Sequence, residues 1–296
     1  MAEGGDARPP QSPIGGILWM AAASVFFSIS IGLVRHISVD INAFEQTFWR
    51  QLMGTLVLLP FMLRRGFSVF KTPQVGTNLI RNMAGYAGIS LSFYSVTLIP
   101  LADSLALQFT LPLFTIIFAM FLLGEKVGPH RWWATGIGFL GTLVVLRPGF
   151  VEINLGMMVA LAAAASFGVS DTLIRKLSRT DSTSLIVFYS FALQLPFAIP
   201  GALYDWVWPS LEVWPWLLAL GAFSFAAQWC LSRSFVLAEA SLVSPVSFLR
   251  LPFVSVIGYF FFTQIPDIWT WVGASIIFGA AFYSGRREAL HMRKKS

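Results

Sequence analysis

The 296-residue chain is poor in charge, cysteine and histidine. Charged residues make up 11% of it, whereas a typical soluble domain carries about 25%. The single cysteine, Cys230, excludes an intrachain disulfide framework and a cysteine metal site. The histidines, His36, His130 and His291, are scattered, and we interpret them as interfacial polar residues. No catalytic residue, metal site or cofactor is therefore predicted.

Long apolar runs dominate what is present, because hydrophobic residues make up 56% of the chain. Ten runs of roughly 17–24 residues are long enough to cross a hydrocarbon core of ~30 Å. They predict an all-α, polytopic membrane protein with ten transmembrane helices. The second, third and eighth runs carry polar residues inside. The predicted spans are 14–34, 43–63, 78–98, 101–123, 131–147, 155–174, 183–203, 214–237, 241–263 and 268–285.

Lysine and arginine are unequally shared between the two sides of these spans. With the N-terminus inside, 15 of the 20 basic residues fall on the inner side and 2 on the outer side. The positive-inside rule then orients the protein with both termini in the cytoplasm, and we expect it to lie in the inner (plasma) membrane. We interpret residues 1–13 as a disordered cytoplasmic tail. Residues 286–296 form a basic cytoplasmic tail, which suits an anionic lipid surface and needs no nucleic acid.

The second half of the chain echoes the first at an offset of 140 residues. Phe27 corresponds to Phe167, and Leu111-Pro112 corresponds to Leu251-Pro252. Each copy holds five spans, and an odd number means that the second copy enters from the opposite side. The pattern predicts two inverted five-helix repeats, an arrangement of secondary transporters with a substrate site near mid-membrane. Chance similarity between apolar helices is the alternative. The repeats cover 14–149 and 155–285.

Arg250 stands inside the apolar stretch 244–262. An arginine at mid-helix costs about 2.5–3.5 kcal/mol on insertion scales, and no acid lies three or four residues away. It comes two residues before Pro252, where a helix loses a backbone hydrogen bond and kinks. Its repeat counterpart is Thr110, close to Gln108. Two interpretations stay open: an arginine that faces a cavity and contacts solute, and a buried pair with an acid from another helix.

Other polar and aromatic residues lie deep in the predicted spans. Glu45 and Arg50 are five residues apart, which is poor spacing for a same-face pair. Each is therefore expected to find a partner on another helix or to face the cavity. Deep aromatic residues could line a cavity and stack on a planar or cationic solute, with core packing as the alternative. These aromatic residues are Trp49, Tyr86, Tyr94, Tyr189 and Trp229.

Coupling and gating have three candidates. Asp171 lies four residues before Arg175, which favours an intrahelical ion pair. The alternative is a proton-coupling or gating carboxylate on a water-filled path. Pro112 and Pro252 would let spans four and nine flex as the cavity changes sides.

The motif GIGFLG (136–141) has the spacing of a dinucleotide-binding loop. Such a loop must join a strand to a helix, whereas this one lies within a predicted span. We interpret Ala134, Gly138 and Gly141 as a small-residue face that allows close helix packing.

Several stretches match a shared pattern across nearly the whole chain. They are AFEQTFWRQLMGTLVLLPF (43–61), PLADSLALQFTLPLFTIIFAMFLLGEKVGPHRWW (100–133), GIGFLGTLVVLRPG (136–149) and YFFFTQIPDIWTWVGA (259–274). Together they resemble the EamA family of the drug/metabolite transporter superfamily. Within it the chain looks most like the bacterial members grouped with S-adenosylmethionine transporters, and like the vertebrate solute-carrier 35 group G. Gln264 departs from the pattern, because family members often carry Glu there, as the first copy does at Glu125.

The resemblance implies ten helices around a central cavity, lined by the first four helices of each repeat, and uptake or export of small organic solutes by alternating access. We expect Arg250 to bind an anionic group, while Gln108, Arg50 and the deep aromatic residues orient the rest of the solute. The implied solutes are S-adenosylmethionine, amino acids or carboxylates. Proton coupling through Asp171 and simple exchange fit the sequence equally well. The alternatives are an intramembrane enzyme, a receptor and an assembly factor.

Overall fold

The computed structural model describes residues 12–64, 72–124, 129–147, 152–177, 180–181, 183–237 and 244–293. All regular secondary structure in these ranges is helical, which confirms the all-α prediction. A 3₁₀ segment, Ser244–Leu249, directly precedes the helix that begins at Arg250. The helices are α1 (Pro13–Ile37), α2 (Ala43–Arg64), α3 (Val75–Leu98), α4 (Leu101–Gln108), α5 (Leu111–Leu123), α6 (Pro129–Leu146), α7 (Leu155–Leu177), α8 (Thr183–Ala192), α9 (Leu195–Leu203), α10 (Trp214–Leu237), α11 (Arg250–Phe262) and α12 (Ile268–Arg293).

Five segments of the described chain are long and apolar enough to cross a membrane, judged by length and composition. They lie in α1, α4–α5, α7, α8–α9 and α10, and three further apolar helices, in α6, α11 and α12, are shorter. The helices α2 and α3 belong to neither group. Their polar residues are buried, including Gln46, Gln51 and Asn82, which are each 0% exposed. Burial against other helices explains how such polar segments fit into this apolar bundle.

Three predicted spans are interrupted beside a Leu-Pro pair. Residues 109–110 separate α4 from α5, residues 193–194 separate α8 from α9, and the 3₁₀ segment precedes α11. Pro112, Pro196 and Pro252 then fall in the first turn of the following helix. Proline is tolerated there because a first-turn N–H has no intrahelical acceptor. The sequence predicts flexing at Pro112 and Pro252 but not the break before Pro196.

The helices pack in pairs that join the two halves of the chain. The helix α1 packs on α10 and α11, and α7 packs on α3, α4 and α5. Three further pairs are α2 with α9, α4 with α11, and α6 with α12. Numbered by predicted span, span one contacts spans eight and nine, and span six contacts spans three and four. If each span is replaced by the corresponding span of the other half, the same pairs of spans are obtained.

Glycines allow α6 and α12 to approach closely. A Cβ added to Gly273 would lie 2.7 Å from the carbonyl oxygen of Gly141. A Cβ on Gly138 would lie 2.7 Å from the side chain of Leu113 on α5. Neither position has space for a larger residue without a shift of its neighbour. The predicted small-residue face is thus confirmed at Gly138 and Gly141, and the side chain of Ala134 lies outside the described part of the structure.

The predicted tails are described only in part. Ser12, within the predicted tail 1–13, caps α1 through its Oγ, which accepts a hydrogen bond from the backbone N–H of Gly15 at 3.3 Å. The helix α12 continues to Arg293. Most of the predicted basic tail, 286–296, therefore belongs to this helix. Residues 1–11 and 294–296 lie outside the described residues.

Candidate functional site

A cavity of about 90 Å³, lined by both polar and apolar residues, lies between the two halves. Helices α1 to α4 line it from the first half, and α7, α10 and α11 line it from the second. Among the described lining residues, α6 and α12 contribute none. The cavity brings together three residues that the sequence singles out: Arg50, Gln108 and Arg250. The other lining residues are Phe27, Ser28, Ser30, Ile31, Ile89, Ser92, Phe93, Leu105, Phe167, Ser224 and Val254.

Arg250 is the first residue of α11, and its guanidinium lies over an aromatic ring. Its Cζ is 4.1 Å from the ring centroid of Phe27 on α1, well within the range of a cation–π contact. Its Nε is buried and has no hydrogen-bond partner in the described part of the chain. The carboxylate of Asp171, on α7, attracts the guanidinium. Arg250 thus faces the cavity and also has an acid on another helix within electrostatic range.

Arg50 is 8% exposed and is held by neutral groups. Its Nη1 donates a hydrogen bond to Oε1 of Gln51 at 3.0 Å, and its Cζ lies 5.2 Å from the ring centroid of Phe191. The amide of Gln51 in turn donates to Oε1 of Gln194. Because Gln194 lies between α8 and α9, this chain of contacts links the cavity to the break in span seven.

Gln108 ends α4 and is oriented by serine hydroxyl groups. Its Oε1 accepts a hydrogen bond from Oγ of Ser92 at 2.7 Å. Its Nε2 donates to Oγ of Ser104 at 3.0 Å, and Ser104 shares a hydrogen bond of 2.5 Å with Ser95. These contacts hold the amide in one orientation at the wall of the cavity.

Glu45 is buried at 0% exposure, away from the lining of the cavity. Its Oε1 accepts from Nε1 of Trp49 at 3.2 Å, and its Oε2 accepts from the backbone N–H of Val207 at 3.1 Å. The prediction that Glu45 pairs with another helix or faces the cavity is therefore wrong. Its partners are an indole on the same helix and a backbone amide in the connection 204–213. Trp49 packs against Trp206 of this connection, with ring centroids 5.7 Å apart, so α2 and the connection are joined through one cluster.

Arg81, on α3, is a buried arginine that sequence reasoning treats only as one of the inner-side basic residues. It is 4% exposed. It donates to Oγ of Ser190 at 2.7 Å and to the carbonyl oxygen of Ile186 at 3.3 Å, and Asp171 attracts it. The polar residues Asn78, Arg81 and Asn82 share one helix face by their spacing. That pattern is the signal that could have found this buried site.

Asp171 thus acts on two buried guanidinium groups, those of Arg81 and Arg250. It is not among the described lining residues of the cavity. The side chain of Arg175, its predicted intrahelical partner, lies outside the described residues. A coupling or gating role of Asp171 stays a prediction.

None of the five deep aromatic residues predicted for the wall is among its described lining residues. Trp49 lies in the cluster beside Glu45, and the other four have different neighbours. Their neighbours are Gly201 for Tyr86, Phe44 for Tyr94, Phe188 for Tyr189 and the guanidinium of Arg233 for Trp229. A role of these four residues in solute binding stays a prediction. The aromatic residues on the wall are Phe27, Phe93 and Phe167. Phe27 and Phe167 are repeat mates, so the useful signal lay in the repeat and not in the type of aromatic residue.

Polar contacts join the two halves at both ends of the bundle. At one end, Oε1 of Gln264 accepts from the backbone N–H of Leu101 at 3.0 Å. An amide oxygen thus satisfies the first turn of α4, as a carboxylate would, so the departure from Glu keeps this contact. At the opposite end, Oδ2 of Asp181 accepts from Thr72 and from Asn78, at 2.8 Å each. Residues 125–128, with Glu125, lie outside the described residues.

Comparison with known proteins shows which class of protein shares this sequence. The EamA-like transporter family matches residues 14–147 and 154–286. The chain is 29% identical to the S-adenosylmethionine uptake transporter of Rickettsia prowazekii, over 95% of this chain and 96% of that protein. It is 32% identical to the riboflavin transporter of Vibrio cholerae, over 90% and 91%. It is also 31% identical to the pseudopaline exporter CntI of Pseudomonas aeruginosa, over 92% and 96%.

A solved crystal structure has the same fold. It superposes with a TM-score of 0.64 at 18% sequence identity, covering 96% of this chain and 100% of that one. The helical fold, the apolar segments and the relatives define a multi-pass membrane transporter and not an enzyme. The chain belongs to the EamA-like transporter family.

Proposed function

We propose that the chain is a secondary transporter that moves a small organic metabolite across the inner membrane by alternating access. The observation that carries this proposal is that Arg50 and Arg250 line one cavity between the two halves. Ionisable residues within membrane segments are costly, and they commonly mark the pathway of a substrate or ion. Two arginines from different halves in one cavity suit that role.

The proposed architecture has ten spans in two inverted repeats, with both termini in the cytoplasm. Two observations support it. The helix pairs keep their pattern when the halves are exchanged, and the corresponding spans four and nine are both interrupted just before α5 and α11. Broken helices at matching positions of two repeats are typical of transporters in which one repeat moves against the other.

The proposed solute carries a carboxylate or another anionic group. A guanidinium group binds a carboxylate through two parallel hydrogen bonds, and Gln108 offers an oriented amide beside it. Phe27, Phe93 and Phe167 provide the apolar part of the wall. S-adenosylmethionine, after which the Rickettsia relatives are named, carries an amino-acid carboxylate. Solutes of the S-adenosylmethionine, amino-acid or carboxylate class therefore fit the proposal.

Solute binding requires the halves to separate. Sites for drug-sized ligands have volumes of about 300–1,000 Å³, whereas this cavity measures about 90 Å³. The breaks at 109–110 and 193–194 and the 3₁₀ segment are the places where helices can bend without losing further backbone hydrogen bonds. Asp171, which attracts Arg250, is the proposed coupling or gating carboxylate, with protons as the coupled ion.

A thermal-shift screen of purified protein tests solute binding. A ligand that binds only the folded protein raises the unfolding temperature in proportion to RT ln(1 + [L]/Kd). We expect anionic metabolites to raise it, and Arg250→Ala to abolish the rise. If a hit raises the unfolding temperature of Arg250→Ala as much as that of the unaltered protein, Arg250 does not bind that solute. If no metabolite of a broad panel raises it, a receptor or assembly role gains support.

A further inference from the structure

The cavity is small and is lined by two positively charged side chains. Arg50 and Arg250 line it, and no acidic residue is among its described lining residues. Its volume of about 90 Å³ is well below the about 300–1,000 Å³ of sites that hold drug-sized ligands. The cavity in this conformation is thus too small for an organic metabolite and large enough for a simple inorganic ion.

The charge of these arginines cannot be removed by loss of a proton, because guanidinium stays protonated in proteins. A buried charge is strongly unfavourable unless a counter-charge or sufficient hydrogen bonds compensate it. Asp171 attracts Arg250. The described contacts of Arg50 are different, because they are with the neutral amide of Gln51 and the ring of Phe191. The charge of Arg50 therefore lacks a local carboxylate in the described part of the chain.

The hydrogen bonds of the cavity wall leave the guanidinium groups as its available donors. The hydroxyl groups of Ser28 and Ser30 donate to backbone carbonyl oxygens of their own helix, at 2.8 and 2.9 Å. Ser92 donates to Gln108. The donors left over belong to the guanidinium groups, including Nε of Arg250, which is buried without a partner in the described chain. Because these hydroxyl groups donate their protons elsewhere, they present only lone pairs to the cavity. The guanidinium N–H groups are therefore the donors available to an anion.

We propose that the cavity binds one small inorganic monoanion, such as chloride, between Arg50 and Arg250, and that the anionic group of the solute displaces it. The anion supplies the counter-charge while the halves are together, and the solute supplies it after they separate. Only the displacement step rests on the proposed transport function. Binding of the anion requires no transport.

Chloride titration of the purified full-length protein tests the site. The unfolding temperature is measured as chloride replaces gluconate at constant ionic strength. We expect a saturable rise that is lost in Arg50→Gln and in Arg250→Gln. Arg233→Gln is the matched control, because Arg233 also lies over an aromatic ring, 5.7 Å from Trp229, but is exposed and away from the cavity. A rise that does not saturate, or that both cavity variants retain, overturns the proposal.

Bromide in crystals of the unaltered protein gives an independent result if either variant fails to fold. We expect an anomalous scattering peak between the two guanidinium groups, and the absence of a peak there at saturating bromide would contradict the proposal. Neither experiment contains a transported solute. If the protein binds bromide but transports no metabolite, the anion site is supported and the proposed transport function is contradicted. If it transports a metabolite but binds no bromide, the transport function is supported and the anion site is contradicted.

Discussion

The guanidinium Cζ of Arg250 lies 4.1 Å from the ring centroid of Phe27. The two residues come from opposite halves of the chain, since Phe27 is on α1 and Arg250 begins α11. A desolvated cation–π contact is worth about 2 kcal/mol, which is comparable to the cost of placing an arginine in a membrane span. The ring therefore explains much of how the apolar stretch 244–262 accommodates a permanent charge.

Phe27→Leu should lower the free energy of unfolding more than Phe167→Leu does. Both changes remove a ring from the wall of the cavity, but only the first removes the ring beneath a guanidinium. The difference between the two variants should be about 0.5–2 kcal/mol, and Phe27→Tyr should behave like the unaltered protein. Thermal or denaturant unfolding in detergent measures it. Equal losses for the two leucine variants would show that the contact with Arg250 contributes no stability.

Two substitutions of Gln51 should separate the effect on stability from the effect on anion binding. Gln51→Leu leaves a donor of Arg50 and the amide of Gln194 without their partner, and should cost about 1–3 kcal/mol of unfolding free energy. Gln51→Glu instead places a carboxylate beside Arg50. It should keep the protein folded but weaken the affinity for chloride and for an anionic solute at least tenfold.

The control for this pair is Gln228→Leu, at a half-buried position on α10 outside the cavity lining. It should change neither quantity appreciably. Titration calorimetry or chloride-dependent unfolding gives the affinities. Unchanged anion affinity in Gln51→Glu would mean that Arg50 does not hold the anion.

Glu45 should hold the connection 204–213 against the end of α2. Glu45→Gln keeps the shape of the side chain but removes the charge that strengthens the bond from Val207 N–H. Backbone hydrogen exchange at 206–208 should become several-fold faster, because the segment opens more often. Glu212→Gln, at an exposed position of the same connection, should leave it unchanged. Equal exchange in both variants would show that Glu45 does not restrain the segment.

Gly54 should be intolerant of a methyl group. A Cβ at Gly54 would lie 2.2 Å from the ring of Phe191, the ring beneath Arg50. Overpacking of this kind typically costs about 1–3 kcal/mol, so Gly54→Ala should lower the unfolding free energy by that amount. Gly136→Ala is the control, since nothing lies within 4 Å of its added Cβ. If Gly54→Ala is as stable as Gly136→Ala, the packing of Phe191 beneath Arg50 is looser than the structure indicates.

Segments and charges were easier to predict from the sequence than the direction of side chains. Hydropathy and length locate the apolar helices, and the cost of an intramembrane charge singles out Arg50 and Arg250, which share the cavity. Pro112 and Pro252 mark two of the three interruptions. The break before Pro196 was not predicted. The repeat places Leu59-Pro60 near Leu195-Pro196, but Pro60 lies within the continuous helix α2, so the two copies differ in structure at this point.

The aromatic wall was harder to predict for a physical reason. Depth in a span says how far a residue lies along the membrane normal but not which way its side chain points. Trp229 is at a predicted depth that suits the cavity, yet it is 43% exposed beneath Arg233. Phe27 and Phe167 occupy equivalent positions in the two halves, and both line the cavity. Symmetry between the halves therefore predicts the wall better than residue type does.

The most direct test of the central claim is solute flux in proteoliposomes. Purified protein is reconstituted, and uptake is measured for S-adenosylmethionine, riboflavin, amino acids and carboxylates, with Arg250→Ala and Arg233→Ala in parallel. The account predicts saturable uptake of at least one anionic metabolite, retained in Arg233→Ala and reduced at least tenfold in Arg250→Ala. No solute-dependent flux across the panel, or full flux in Arg250→Ala, would contradict it.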